Sequence, residues 1–230
     1  MRVSQLTRLS VFLAAGVLVG ACTDLGPRDR ESVNVTMQQT EDVVAQAADG
    51  WYASVADGSV NAIDRDAVAS LVVQVSQIQF LPKTDEASAD DDGGWISLPI
   101  GPVTLDLMAL PTESESPLVI ASGDVPEGAY RRVRLFVDDA TIRFTTPIDY
   151  GVGLGRKGFE ADVDYQVDIP SGAQTGIKTD VEFTVEADAQ GNINDVHLLF
   201  DPAATFLNVT TTGNGKVMLA PVIRQLPEQH

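Results

Sequence analysis

Residues 162–169 read DVDYQVDI, and this stretch decides the fold. Val163, Tyr165, Val167 and Ile169 alternate with Asp162, Asp164, Gln166 and Asp168. Successive side chains of a β-strand point to opposite faces, so a period of two means one face buried and one face wet. The same alternation recurs in Val181, Phe183 and Val185 against Glu182, Thr184 and Glu186. It recurs again in Val133, Leu135 and Val137 against Arg132, Arg134 and Asp138. Val133, Leu135, Val163, Val167, Val181 and Phe183 are therefore expected to point inward. Further strands are predicted near 32–37, 71–81, 95–98, 103–110, 117–121, 141–146, 193–200, 205–211 and 216–224. Within 71–81 the phase slips: Val73 and Val75 share one parity, Ile78 and Phe80 the other, which predicts a β-bulge.

The strands are punctuated by DDDGG at 90–94, PEG at 126–128, PSG at 170–172, QGN at 190–192 and TGNGK at 212–216. Many short strands between Gly, Pro and Asn turns predict an all-β domain, an antiparallel sandwich or barrel. One short N-terminal helix is predicted over 40–48, with Thr40 as N-cap and Glu41 and Asp42 in its first turn. Tyr130, just after the Pro126–Gly128 turn, is placed to bond backbone across a corner.

The N-terminus carries an address. Arg2 and Arg8 precede an apolar run from Val11 to Val19, and Gly20, Ala21 and Cys22 follow. A positive start, a short apolar stretch and small residues at the end make a secretory signal, too short to span a bilayer. Val19-Gly20-Ala21-Cys22 fits a bacterial lipobox, in which the cysteine thiolate accepts the lipid. The expected organisation is a signal peptide over 1–21 and the lipidated Cys22 with a flexible tether over 22–32. A single domain over 33–226 and a tail over 227–230 follow. The expected location is the cell envelope, anchored to a lipid bilayer through Cys22. Thr23 stands where an inner-membrane retention signal would have Asp, which directs the expectation to the outer membrane of a Gram-negative bacterium.

Cys22 is the chain's one cysteine, so no disulfide is expected and the core alone must stabilise the fold. The chain has 15 basic and 33 acidic residues and a formal charge of −18. Residues 1–21 hold two of the basic residues and none of the acids, leaving 13 against 33 and a mature charge of −20. That charge argues against nucleic acid or an anionic bilayer surface as a partner.

No catalytic constellation emerges. After the signal the histidines are His197, in a predicted strand, and His230, the last residue. No nucleophile motif accompanies His197, and zinc lacks ligands. GVGLGRKG at 151–158 misses the spacing of a dinucleotide loop. Asp90, Asp91 and Asp92 are the calcium candidates, since hard cations take carboxylates, with a solvated acidic loop as the competing reading. Arg131, Arg132 and Arg134 form the one basic cluster, expected either to pair with acids of a neighbouring strand or to meet an anionic glycan or partner. Trp95 reads as a core or edge aromatic. The expectation is a non-catalytic binding or assembly module for an envelope protein or glycan, without a cofactor. The alternatives are an envelope-polymer hydrolase using paired carboxylates and a calcium-dependent adhesin.

Several segments in order carry a resemblance: LVVQVSQIQF (71–80), GGWISL (93–98), VTLDLMAL (103–110), VPEGAYRRVRL (125–135), IPSGAQTGIKT (169–179), VHLLFDP (196–202) and KVMLAPVIR (216–224). Together they resemble a bacterial family known as domain of unknown function 4382, over about 68–224. The resemblance implies a secreted or lipid-anchored antiparallel β-sandwich like the prealbumin-type and fimbrial modules, so the expected fold class is a prealbumin- or immunoglobulin-like sandwich. It implies no activity and supplies no catalytic residues.

Overall fold

The computed structural model describes residues 29–41, 63–83, 94–148, 158–170, 172–187, 193–207, 209–211 and 216–226. Its strands are β1 (Arg30–Gln39), β2 (Val68–Pro82), β3 (Ile96–Leu98), β4 (Val103–Asp106), β5 (Leu118–Pro126) and β6 (Gly128–Phe144). They continue as β7 (Asp164–Asp168), β8 (Ile177–Val185), β9 (Asn194–Asp201), β10 (Thr210–Thr211), β11 (Val217–Met218) and β12 (Val222–Gln225), with a short α-helix, α1 (Pro202–Phe206), after β9. The fold is all-β. One sheet has the order β12-β9-β1-β5; the larger has the order β10-β11-β7-β6-β2-β3, with β4 also on β2 and β8 also on β6.

The long antiparallel pair β2 and β6 is the frame of the larger sheet, running from Val68 opposite Phe144 to Pro82 opposite Tyr130. Because both strands are long, each carries two shorter partners end to end: β3 and β4 along β2, β7 and β8 along β6. The predicted phase slip is a bulge: the register shifts between Gln74 and Gln77, and Val73, Val75, Ile78 and Phe80 are all buried. Ser76 and Asp138 fall out of register together and bond each other, Ser76 Oγ donating to Asp138 Oδ1 at 2.8 Å. This irregularity lets the chain continue through Asp138 and Asp139. The two strands expected at 133–137 and 141–146 are thus one, β6.

One cluster of buried side chains draws on both sheets: Val33, Val35 and Met37 of β1, Leu198 and Phe200 of β9, Phe80 of β2, Leu135 and Ile142 of β6. Each such side chain contributes about 1.5–3 kcal/mol by leaving water. Phe80, Tyr130 and Phe183 meet as aromatics, with Tyr130 and Phe183 stacked at 5.0 Å between centroids. Tyr130 Oη donates to the Pro126 carbonyl at 2.6 Å, the corner expected from the sequence. The flanks where the sheets meet differ. On one, Gln225 exchanges bonds with the Glu182 backbone of β8; on the other, Gly123 of β5 lies so close to Leu98 that a Cβ would sit 2.9 Å from its Cδ1.

Several expectations are corrected. Pairing is not wholly antiparallel: β1 runs parallel to β9, and β11 parallel to β7. Val163 is 39% exposed, because Asp162 turns the chain at a φ of 59° and the ladder begins at Asp164. Phe183 packs against the core while only partly buried. The stretch 205–211 is the end of α1 followed by a two-residue strand. Asp201 caps that helix, accepting from Ala204 N at 2.8 Å, with Pro202 at its first position. Residues 107–109 form a 3-10 turn beyond β4. Strand β1 begins at Arg30, three residues inside the stretch read as tether. Residues 42–48 of the predicted helix lie outside the described residues, as do Trp51, the predicted signal over 1–21 and Cys22.

Candidate functional site

The outer face of the larger sheet carries a row of side chains set by register. Ser97 of β3 lies opposite Gln79 of β2, Gln79 opposite Arg134 of β6, and Arg134 opposite Lys178 of β8. Four strands thus place four polar groups in one line across the sheet. With neighbouring strands about 4.8 Å apart, the row spans about 14 Å.

Arg134 is held from several sides. Its guanidinium carbon sits 4.1 Å from the Trp95 ring centroid and 4.8 Å from that of Phe136. Its Nε donates to Gln79 Oε1 at 3.0 Å, and its Nη2 donates to the same oxygen. Stacking on rings and a planar fork suit arginine, whose guanidinium is weakly hydrated and always charged. An arginine has only donors, so the Gln79 carbonyl must face it. The Gln79 amide nitrogen therefore faces Ser97 and donates to its Oγ at 3.1 Å; Gln77 Nε2 donates to the same oxygen at 2.9 Å. Two incoming bonds use both lone pairs of the hydroxyl, leaving its O–H as a donor. Lys178 lies 6.0 Å from the Trp95 centroid. One rung along, Arg132 Nε donates to Asp180 Oδ1 at 2.6 Å. Within the basic cluster, Arg132 pairs with an acid of a neighbouring strand, as expected, and Arg134 stacks on Trp95 and Phe136.

The bulge opens a second feature, a cleft of about 220 Å³ bordered by Asp138, Asp139, Asp168, Gln166 and Lys216. Among the described residues, no group of three or more His, Cys, Asp or Glu is placed to hold a metal ion. Beside it, Arg143 grips Asp164 through two bonds of 2.7 and 2.8 Å, which hold the Asp164 carboxyl below its usual range. The cleft does not include His197, which stands in the smaller sheet with Nδ1 2.8 Å from Thr36 Oγ1. An apolar void of about 10 Å³ lies between the sheets, bordered by Met37, Val75, Leu135 and Ile223. It is at the lower limit for one water and offers that water no polar partner.

Asp201 is 1% exposed and bonded to the α1 backbone, and Arg224 Nη2 lies 2.8 Å from its other oxygen. This carboxylate caps the helix. Asp90, Asp91, Asp92 and His230 lie outside the described residues. Sequence reasoning singled out Arg134 and Trp95 but missed Gln79, Ser97 and Lys178. Their alternation marks them as outward-facing; only the cross-strand register aligns them.

A family model described as "Domain of unknown function (DUF4382)" matches residues 54–221. Comparison with curated proteins and with solved structures found no match. The matched span leaves out β1 and β12, although β1 lies inside the smaller sheet between β9 and β5.

Proposed function

Since the chain belongs to the DUF4382 family, we propose that it is a non-catalytic binding module tethered to the cell envelope through a lipidated Cys22. The observation that carries this reading is the lipobox Val19-Gly20-Ala21-Cys22 standing a short way before the first strand. Strand β1 begins eight residues after Cys22, a span of at most about 28 Å. The domain would then sit close to the bilayer, with β1 as its attachment. Two open sheets around one core support reading it as a β-sandwich of the prealbumin or immunoglobulin type. The separation of His197 from the acid-lined cleft weighs against hydrolysis by a concerted His and carboxylate site.

Fractionation of cells making Cys22→Ala tests the anchor. The variant should accumulate as uncleaved precursor or appear in soluble fractions, and should fail to incorporate labelled palmitate. A variant that is processed and membrane-bound like the parent refutes the tether. Thr23 after the cysteine leads us to expect the parent in outer-membrane fractions of a sucrose gradient.

A further inference from the structure

We propose that strand β12 is a strap across one flank of the domain, which opens by itself while β2 and β6 stay folded. The first argument is that β12 joins the two sheets by unlike means. Toward β9 it forms an antiparallel ladder, from Val222 opposite Asp201 to Gln225 opposite Leu198. Toward β8 the bonds are made by side chains. Thr179 Oγ1 donates to the Ile223 carbonyl at 2.8 Å. Gln225 Oε1 accepts from Glu182 N at 2.9 Å, and Gln225 Nε2 donates to the Glu182 carbonyl at 2.8 Å. An amide side chain carries both an acceptor and a donor, so it stands where the peptide group of a neighbouring strand would.

The second argument is how little holds the strap. Val222, Ile223 and Gln225 are half-buried and Arg224 is exposed. Strands β2 and β6, by contrast, bury Leu71, Phe80, Val133 and Ile142 completely. A segment with few buried apolar side chains lies at the low end of local stability and opens before the core does. Beside the ladder, Val222 N donates to Thr205 Oγ1 at 2.8 Å, and Arg224 Nη2 lies 2.8 Å from Asp201 Oδ2. Both contacts leave with the strand. Water reaches Asp201 as Arg224 departs, so its charge is not stranded in a dry site.

The third argument is what stays behind. Asn194 of β9 makes a second amide stitch along the same edge, just past β8. Its Oδ1 accepts from Glu186 N at 3.3 Å, and its Nδ2 donates to the Glu186 carbonyl at 3.2 Å. Glu186 lies four residues beyond Glu182, about 13 Å along an extended chain. On the opposite flank, the missing Cβ of Gly123 lets β5 close on Leu98. These contacts hold the sheets together when β12 lifts. Pro221 and Ile223 border the apolar void together with Met37, Val75, Leu135 and Ile177. Lifting β12 thus uncovers an apolar slot between sheets that remain packed elsewhere.

The test is native-state hydrogen exchange on the full chain in neutral detergent, followed residue by residue over a series of low urea concentrations. In the parent, the amides of β12 and of Glu182 should exchange at least about a hundredfold faster than those within the β2–β6 pair. Their urea sensitivity should be at most about a third as large, because the slope scales with the surface exposed and a short strand exposes little. Gln225→Ala removes two bonds that opening breaks, so exchange in β12 should rise about tenfold. Asn194→Ala removes bonds that survive opening. Exchange in β12 should then match the parent, while the β2–β6 amides speed up. Melting curves establish that each variant is folded. If β12 and Glu182 share the rate and urea slope of the β2–β6 pair in the parent, the flank opens only with the whole domain and the strap is refuted. Asn194→Ala speeding β12 as much as Gln225→Ala would refute it too, because the whole edge of β8 would then part at once.

Discussion

Gly176 immediately precedes β8, and its replacement by alanine tests how closely the row is tied to the backbone beneath it. Gly176 has a φ of +70°, which side chains with a Cβ rarely adopt. Placing alanine there costs about 1–2 kcal/mol from backbone strain alone. The new Cβ would also lie 2.6 Å from Arg134 Cγ, 3.1 Å from Arg134 Cδ and 3.0 Å from the Leu135 carbonyl oxygen. Arg134 cannot simply swing aside, because its head is held by Trp95, Phe136 and Gln79. The combined cost should reach about 2–3 kcal/mol, or a fall in Tm of about 5–10 °C for a domain of this size. Two other glycines calibrate the result. Gly101 has open space around it and no positive φ, so Gly101→Ala should leave Tm unchanged. Gly128 has a φ of +142° and open space, so Gly128→Ala should show strain without the clash. The assay is thermal melting of the three variants by circular dichroism. In a Trp51→Phe background, Trp95 emission should also change position in Gly176→Ala, as Arg134 leaves the ring. A melting point for Gly176→Ala no lower than that of Gly128→Ala would refute the coupling between this turn and Arg134.

Two further outcomes are expected. Phe80 is fully buried and Phe183 only partly so; Phe80→Ala should cost about 3–5 kcal/mol and Phe183→Ala about 2 kcal/mol by urea denaturation, and a reversed order would contradict the packing of the aromatic cluster. Asp164 titrates below its ordinary 3.8, first because it accepts hydrogen bonds from Arg143. A depressed carboxylate contributes stability that is present above its unfolded-state pKa and lost as pH falls through the folded value. The difference in Tm between the parent and Arg143→Gln should therefore be constant near neutrality and close as pH drops below about 4, with the Asp164 pKa rising in the variant by NMR; a gap that persists at lower pH would place the effect elsewhere.

The buried face of each strand was legible because alternation is a local signal. Val133, Leu135, Val167 and Val181 are inward as the pattern requires, and the slip between Val75 and Ile78 was readable as a bulge. Continuity was harder. Asp138-Asp139 looks like a turn, yet it lies within one strand because Ser76 supplies a hydrogen bond opposite. Val163 belongs to a perfect alternation but precedes the ladder, and only the left-handed Asp162 reveals this. Asp201-Pro202 is a recognisable helix start, but the β-rich sequence around it hides a helix this short. The row was legible only in part, since Ser97, Gln79, Arg134 and Lys178 are distant in sequence and register alone joins them.

The placement of β1 has a mechanical consequence. A strand at the rim of a sheet, drawn away by its end, opens one hydrogen bond at a time. Strand β1 is not at the rim: it is laddered to β5 from Arg30 to Met37 and to β9 from Val33 to Gln39. Ladder bonds run across the strand, so a pull along β1 from Arg30 strains both ladders in shear. A load arriving through the N-terminus would be shared among many bonds and passed through the core to the larger sheet. A force applied at Arg30 would thus act against the full width of the molecule, which would withstand tension that a peripheral attachment would release.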